Sequence, residues 1–148
     1  MPIAGPTGTV KTETYVLDTS ALLTYFNAET GIEISDELFA AQDNRLLISF
    51  LSLYELHYIT VRSRSLTLAD MLLRATLQLD LEVDYSNSLA DISAAGALKG
   101  KYPLSAVDAW IAALAQRHRA VLVHKDPEFE LLGDQLQLLT LPYTATAN

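Results

Sequence analysis

Four acidic residues of this chain stand where their types and spacing could do chemistry. Asp18 directly follows the apolar, β-branched run Thr14-Tyr15-Val16-Leu17, and Asp126 follows Ala120 to Val123 with only His124-Lys125 between. Glu55 falls in the first turn of the helix expected after the apolar run Leu46 to Phe50. Asp108 falls in the first turn of the helix expected over Ser105 to Arg117. In an open parallel sheet, the carboxyl ends of strands and the N-termini of following helices share one edge, where sites form. Carboxylates gathered there would attract a hard divalent cation. Mg²⁺ in particular takes one or two carboxylates and keeps waters that leave room for phosphate oxygens. Two such ions about 3.5–4 Å apart clamp both oxygens of an in-line phosphoryl displacement. Acids in a chain without cysteine suit that task and suit zinc badly.

Each acid also has a plainer reading as a helix cap. Ser52-Leu53-Tyr54-Glu55 and Ser105-Ala106-Val107-Asp108 both fit the capping-box pattern, in which the acid reaches back to the N-cap amide. Asp126-Pro127 reads as an N-cap followed by proline at the first helical position. Asp18-Thr19-Ser20 reads as a cap cluster, since acids at helix N-termini are favoured by the dipole alone. Spacing alone leaves caps and cation ligands equally open.

The elements that must position these acids are legible from periodicity. Residues 1–13 hold Pro, Gly and Thr without pattern and are expected to be a flexible leader. The domain is expected over 14–142, with a short tail at 143–148. Strands are expected at Thr14–Leu17, Leu46–Phe50, Leu81–Tyr85 (a short edge strand), Ala120–Val123 and Leu136–Leu141. Helices are expected over Ser20–Asn27, Ile34–Gln42, Ser52–Ser63, a stretch opened by Thr67, Ser88–Leu98 closed by Lys99-Gly100, and Ser105–Arg117, with a helical turn at Pro127–Leu132. The Ala-rich helix 105–117 is apolar on most sides and therefore buried. Strands separated by helices imply an α/β fold of three layers, α/β/α, around a central, mostly parallel sheet.

Composition bounds the rest. The chain has 148 residues, half of them apolar, which is enough for one domain with its own core. It has no cysteine, which fits a cytoplasmic location, and Met1 to Val10 carry neither a basic segment nor an apolar one, so no signal peptide is expected. Leu46 to Val61 is interrupted by Glu55 and His57, so no membrane span is expected. Ten Lys and Arg against eighteen Asp and Glu give a net charge of −8. Such a chain meets nucleic acid only locally, through cations that reverse the sign of an acidic site, or else it meets a basic partner. Arg62-Ser-Arg64 and Arg117-His-Arg119 are the dense basic clusters, either helix C-terminal complements or small phosphate-guiding patches. Tyr54, Tyr58 and Trp110 read as core or interface aromatics, and His124 as a satisfied structural residue.

Taken in order, Tyr15-Val-Leu-Asp-Thr-Ser-Ala-Leu-Leu23, Ser52-Leu-Tyr-Glu-Leu-His57, Leu104-Ser-Ala-Val-Asp-Ala-Trp-Ile-Ala-Ala113 and Val121-Leu-Val-His-Lys-Asp-Pro-Glu-Phe129 resemble the motifs of PIN domains, and most nearly those of VapC-like ribonuclease toxins of toxin–antitoxin pairs. The resemblance runs from Tyr15 to about Leu141. It implies a Mg²⁺- or Mn²⁺-dependent endoribonuclease, with catalytic and metal-ligand roles at Asp18, Glu55, Asp108 and Asp126 and a steadying hydroxyl at Ser20. It further implies an RNA substrate, a cognate antitoxin that blocks the acidic cleft, and a homodimer. His124 departs from the pattern, which often has threonine there. A degenerate PIN-like domain that binds RNA or a protein without catalysis is the alternative reading. A phosphoacceptor receiver domain fits less well, because it wants adjacent acids where Asp18 has Leu17 and Thr19. A haloacid-dehalogenase-type phosphatase needs a second Asp where Ser20 sits.

Overall fold

The computed structural model of the chain describes residues 13–143. The expected leader and tail therefore lie outside the described residues except for Glu13 and Tyr143. Along the chain run β1 (Thr14–Leu17), α1 (Thr19–Phe26), α2 (Ile32–Ala40), β2 (Arg45–Ser49), α3 (Phe50–Ser63), α4 (Leu66–Leu77), β3 (Glu82–Asp84), α5 (Leu89–Lys101), α6 (Ala106–His118), β4 (Val121–His124), a 3-10 turn (Pro127–Leu132) and β5 (Gln137–Thr140). The strands form one sheet in the order β3-β2-β1-β4-β5, and every pairing is parallel.

The period of two in the short apolar strands divides the core. Val16, Leu47 and Leu122 face one side, where they pack with Ala109, Ile111, Ala112 and Leu114 of α6, Leu98 of α5, and Phe129 and Leu132. Tyr15, Leu17, Leu46, Ile48 and Val123 face the other, against Ala21 and Leu22 of α1, Leu38 of α2, and Leu141. The result is three layers, with burial of each large apolar side chain contributing about 1.5–3 kcal/mol. The run of alanines lets α6 lie close under the sheet, and it is buried on nearly every side.

Most element boundaries shift by one or two residues from the sequence expectation, and three of the shifts have a clear local reason. Helix α3 begins at Phe50 rather than Ser52, because Ser49 caps it by accepting from the Leu51 N–H at 3.1 Å. Helix α4 is capped by Ser65, which accepts from the Leu68 N–H at 3.1 Å, rather than by Thr67. Helix α5 runs through Lys99-Gly100 to Lys101 and stops at Tyr102. Tyr102 precedes Pro103 and is extended, as steric clash with the proline ring requires.

Gly31 joins α1 to α2 in the left-handed region at φ +99°, and a Cβ there would meet Pro142 Cδ at 2.9 Å. Gly31→Ala is expected to lower stability by about 1–2 kcal/mol, read as a lower urea midpoint. An unchanged midpoint would contradict this account of the α1–α2 junction.

Candidate active site

Because β1 is central and the chain leaves it toward β2 while β4 lies on its other side, the strand order reverses between β1 and β4. A crevice opens there beyond the carboxyl ends of the strands. Asp18 and Asp126 flank it. The Asp18 N–H donates to the Val123 carbonyl at 2.9 Å, which ties the end of β1 to β4. Asp18 also caps α1. Its Oδ2 accepts from the Ser20 N–H at 3.1 Å and from the Ser20 hydroxyl at 2.5 Å. Its Oδ1 is buried with no hydrogen-bond partner. An anionic oxygen in that condition calls for a positive group.

The other acids arrive from separate elements. Asp108 lies in the first turn of α6, where its N–H donates to Ser105 Oγ at 3.1 Å. The reciprocal bond of a capping box is not formed there. It is formed at Ser88 and Asp91 of α5, where the Asp91 carboxylate accepts from the Ser88 N–H at 3.0 Å. Glu55 does not sit in a first turn. With Ser49 as cap it lies in the second turn of α3, and Ser52 is inside the helix with a buried, unpartnered hydroxyl, so the expected Ser52–Glu55 box does not exist. Glu55 instead accepts a long bond from the Tyr58 hydroxyl at 3.4 Å. Asp126 does cap, since Oδ1 accepts from the Glu128 N–H at 3.0 Å with Pro127 at the first helical position.

All four sequence-expected acids line one open cleft of about 230 Å³, together with Thr19, Ser20, Leu23 and Ile59. Asp18, Glu55 and Asp108 each offer an oxygen within 4.8 Å of the others, and Asp108, Asp126 and Glu128 do the same. Asp108 is common to both triads. Burial raises the Asp18 carboxyl to about 6, helped by the charge of Glu55 and opposed by its bonds to Ser20. Burial raises Asp108 to about 7, with the charges of Asp18, Asp126 and Glu55 adding to it and the Ser105 hydroxyl opposing it. Oxygen-only donors with one buried carboxylate oxygen left over fit a hard divalent cation.

Several features escape sequence reading. Glu128 joins the second triad although it looks like an ordinary first-turn acid. The Thr19 hydroxyl is buried without a partner at the cleft. Arg117 is bound to Asp84 at 3.2 Å and Asp91 at 3.1 Å, so it serves the fold rather than a phosphate. Tyr54 is not a core residue, being 63% exposed. Tyr58 carries the Arg62 guanidinium over its ring at 5.6 Å, an interleaving of basic and aromatic groups that only the helical spacing reveals.

The two raised carboxyls contribute a fall in stability with pH to the metal-free protein, opposed in part by buried His124, which burial holds below its ordinary value. The folded values of the carboxyls exceed the ordinary one, so the stability they contribute is fully present below about pH 4 and is lost as pH rises through about 6 to 7. In EDTA the melting temperature is expected to fall from about pH 5 to about pH 8, and Asp108→Asn to flatten that fall. Asp108→Asn should also melt no lower than the unsubstituted protein in EDTA at the upper pH, because it removes like-charge repulsion. A variant that melts lower and keeps the same pH slope would show that Asp108 acts only as a cap.

A family model described as PIN domain matches residues 15–134. No curated protein sequence matches the chain. Among solved structures, VapBC2 of Rickettsia felis bound to a promoter DNA fragment is similar at a TM-score of 0.69 and 24% identity, covering 87% of this chain and 99% of its own. VapBC-1 of nontypeable Haemophilus influenzae is similar at 0.66 and 24%, covering 86% and 97%. Mycobacterium tuberculosis VapC20, described as a sarcin–ricin loop cleaving toxin, is similar at 0.66 and 19%, covering 80% and 95%. At these identities the structural likeness establishes a common fold, and the sequence model extends over most of the chain: the protein belongs to the PIN-domain family, with a VapC-like fold.

Proposed function

We propose that the protein is a metal-dependent endoribonuclease that hydrolyses RNA phosphodiesters, acting as the toxin of a toxin–antitoxin pair. The observation that carries this reading is the convergence of Asp18, Glu55 and Asp108 within 4.8 Å, with one buried Asp18 oxygen lacking any partner. In this reading Asp18, Glu55, Asp108 and Asp126 hold Mg²⁺ or Mn²⁺. The cation supplies Lewis-acid charge that lowers the pKa of water and offsets the charge developing on a phosphodiester during in-line displacement. Asp18 holds its place through Oδ2 and Ser20, which leaves Oδ1 for the site. Burial and the neighbouring charges raise Asp108 to about 7, so a cation held there would compete with its protonation. The Ser20 hydroxyl is engaged by Asp18 and by the Lys125 N–H, so water rather than this side chain is the attacking group. The exposed Arg62 lies over Tyr58, whose hydroxyl bonds Glu55, and adds positive charge on the α3 side of the cleft for a backbone phosphate.

The solved relatives named VapBC support a cognate antitoxin as partner, and an acidic cleft in a chain of net charge −8 suits an inhibitor with a basic side chain. A homodimer and a cytoplasmic location complete the reading. Tyr85 and Leu89, 63% and 85% exposed, are apolar side chains that such pairing would cover. No helix among the described residues is long and apolar enough to cross a membrane.

Asp18→Asn keeps a cap for α1 and removes the charge. On a panel of structured RNAs in Mn²⁺, it is expected to reduce cleavage by orders of magnitude while its melting curve stays cooperative. Full cleavage by the folded variant would remove Asp18 from the site, and Mn²⁺ binding by the unsubstituted protein without any cleavage would favour the non-catalytic alternative. Binding of the basic inhibitor should weaken as salt rises. Salt-insensitive binding at a surface remote from Asp18 would count against an antitoxin that blocks the cleft.

A further inference from the structure

His124 is the last residue of β4 and is fully buried. Both of its ring nitrogens are engaged, and the inventory of donors fixes which one carries the proton. The Asp126 backbone N–H donates to Nδ1 at 3.2 Å, so Nδ1 offers a lone pair and holds no hydrogen. Nε2 lies 3.1 Å from Oγ1 of Thr140, the residue paired with His124 across β4 and β5. The Thr140 hydroxyl commits its own hydrogen to Glu130 Oε1 at 2.8 Å, and the same oxygen accepts from the Tyr143 hydroxyl at 3.1 Å. Thr140 Oγ1 is therefore the acceptor and Nε2 the donor. The Phe129 ring packs against the imidazole with centroids 5.2 Å apart, which closes another side.

This arrangement bears on the site through the loop after β4. The Lys125 N–H donates to Ser20 Oγ at 2.9 Å, and the next amide, that of Asp126, donates to His124. Two successive amides of the loop are thus held by side chains, one from α1 and one from β4. A threonine at position 124 could accept from the Asp126 amide in a local turn, but only the longer imidazole also reaches β5. Resting on the cation-site reading above, we propose that His124 is a positioning residue for Asp126: fixed as the Nε2–H tautomer by Thr140 and Glu130, it holds the Asp126 main chain so that the carboxylate stands beside Asp108 for the cation. Groups that orient metal ligands in this way are worth about 10–100-fold in affinity.

Two variants of similar polarity separate the roles of the two nitrogens. In His124→Asn the amide oxygen takes the place of Nδ1 and can accept from Asp126, but nothing reaches Thr140. In His124→Gln the amide reaches toward Thr140, but no acceptor faces the Asp126 amide. Mn²⁺ binding by titration calorimetry is expected to stay within about threefold of the unsubstituted protein for Asn and to weaken about tenfold or more for Gln. Equal affinities for the two variants would overturn the proposal, since a merely structural histidine predicts no such split. If the unsubstituted protein binds Mn²⁺ and the variants are alike, the positioning role alone fails. If the unsubstituted protein binds none, the cation site fails and the positioning role falls with it. Imidazole ¹⁵N shifts, with His124 identified by its loss in the Asn variant, should show a pyridine-type Nδ1 and a pyrrole-type Nε2, and the reverse assignment would also overturn the proposal. Should neither variant fold, Thr140→Val breaks the link to Glu130 at little change in volume. It is expected to mix the tautomers and weaken Mn²⁺ binding, and an unchanged tautomer and affinity would overturn the proposal.

Discussion

Asp18 and Asp108 are taken out of water in one cluster, where Asp108 feels the charges of Asp18, Asp126 and Glu55, and Asp18 that of Glu55. Left alone, such a cluster favours protonation over folding with full charge, and both carboxyls are accordingly pushed up toward neutrality. The surrounding fold is built to hold the acids there regardless. The N-terminus of α1 meets Asp18, that of α6 meets Asp108, and that of the 3-10 turn meets Asp126, so partial positive charge from three helical ends faces the crevice. Those ends do not neutralise it. The buried oxygen of Asp18 remains without a partner, and a cation is the group of matching charge and chemistry.

Cap and ligand are often treated as rival explanations for an acid at a helix start. Here one carboxylate can serve as both, because it has two oxygens. Asp18 gives Oδ2 to Ser20 and keeps Oδ1 for the crevice. Asp126 gives Oδ1 to the Glu128 amide. Asp91 shows what a purely structural acid looks like. Its Oδ2 accepts from the Ser88 amide, from the Ser88 hydroxyl and from Ser86, its Oδ1 meets Arg117, and those bonds hold its carboxyl below the usual range. The direction of the shift follows the environment: bonds and an opposite charge lower Asp91, whereas burial among like charges raises Asp108.

The fold was legible in the sequence because its inner strands, β1, β2 and β4, are short, largely apolar runs with polar stops, as strands buried on both faces must be. Asp18 and Asp126 could be placed at the sheet edge for that reason. What stayed hidden depended on tertiary geometry or on competing local signals. The Ser-x-x-acid pattern at Ser52 lost to Ser49, one residue before the helix, and the same pattern at Ser105 closed only halfway. The full capping box stands instead at Ser88 and Asp91, where nothing chemical marks it in the sequence. Lys99-Gly100 resembled a helix stop, but the proline at 103 decided the end of α5. Glu128 and Thr19 became visible only once the 3-10 turn and α1 had been brought to the cleft. His124, read as structural, has both ring nitrogens hydrogen-bonded as that reading expects, yet one of those bonds holds the loop that carries Asp126.

In the proposed reading, charge, protonation and cation binding at this cluster are one equilibrium. With burial and like charges raising Asp18 to about 6 and Asp108 to about 7, the cluster is partly protonated at pH 6.5, and a cation bound there would displace protons. Titration calorimetry with Mn²⁺ at that pH, repeated in buffers of different ionisation enthalpy, measures the displacement directly. Release of protons on binding, read as a heat that changes with the buffer, is the predicted result. Heats that do not depend on the buffer, or no binding heat at all, would contradict a cation site built from these carboxylates.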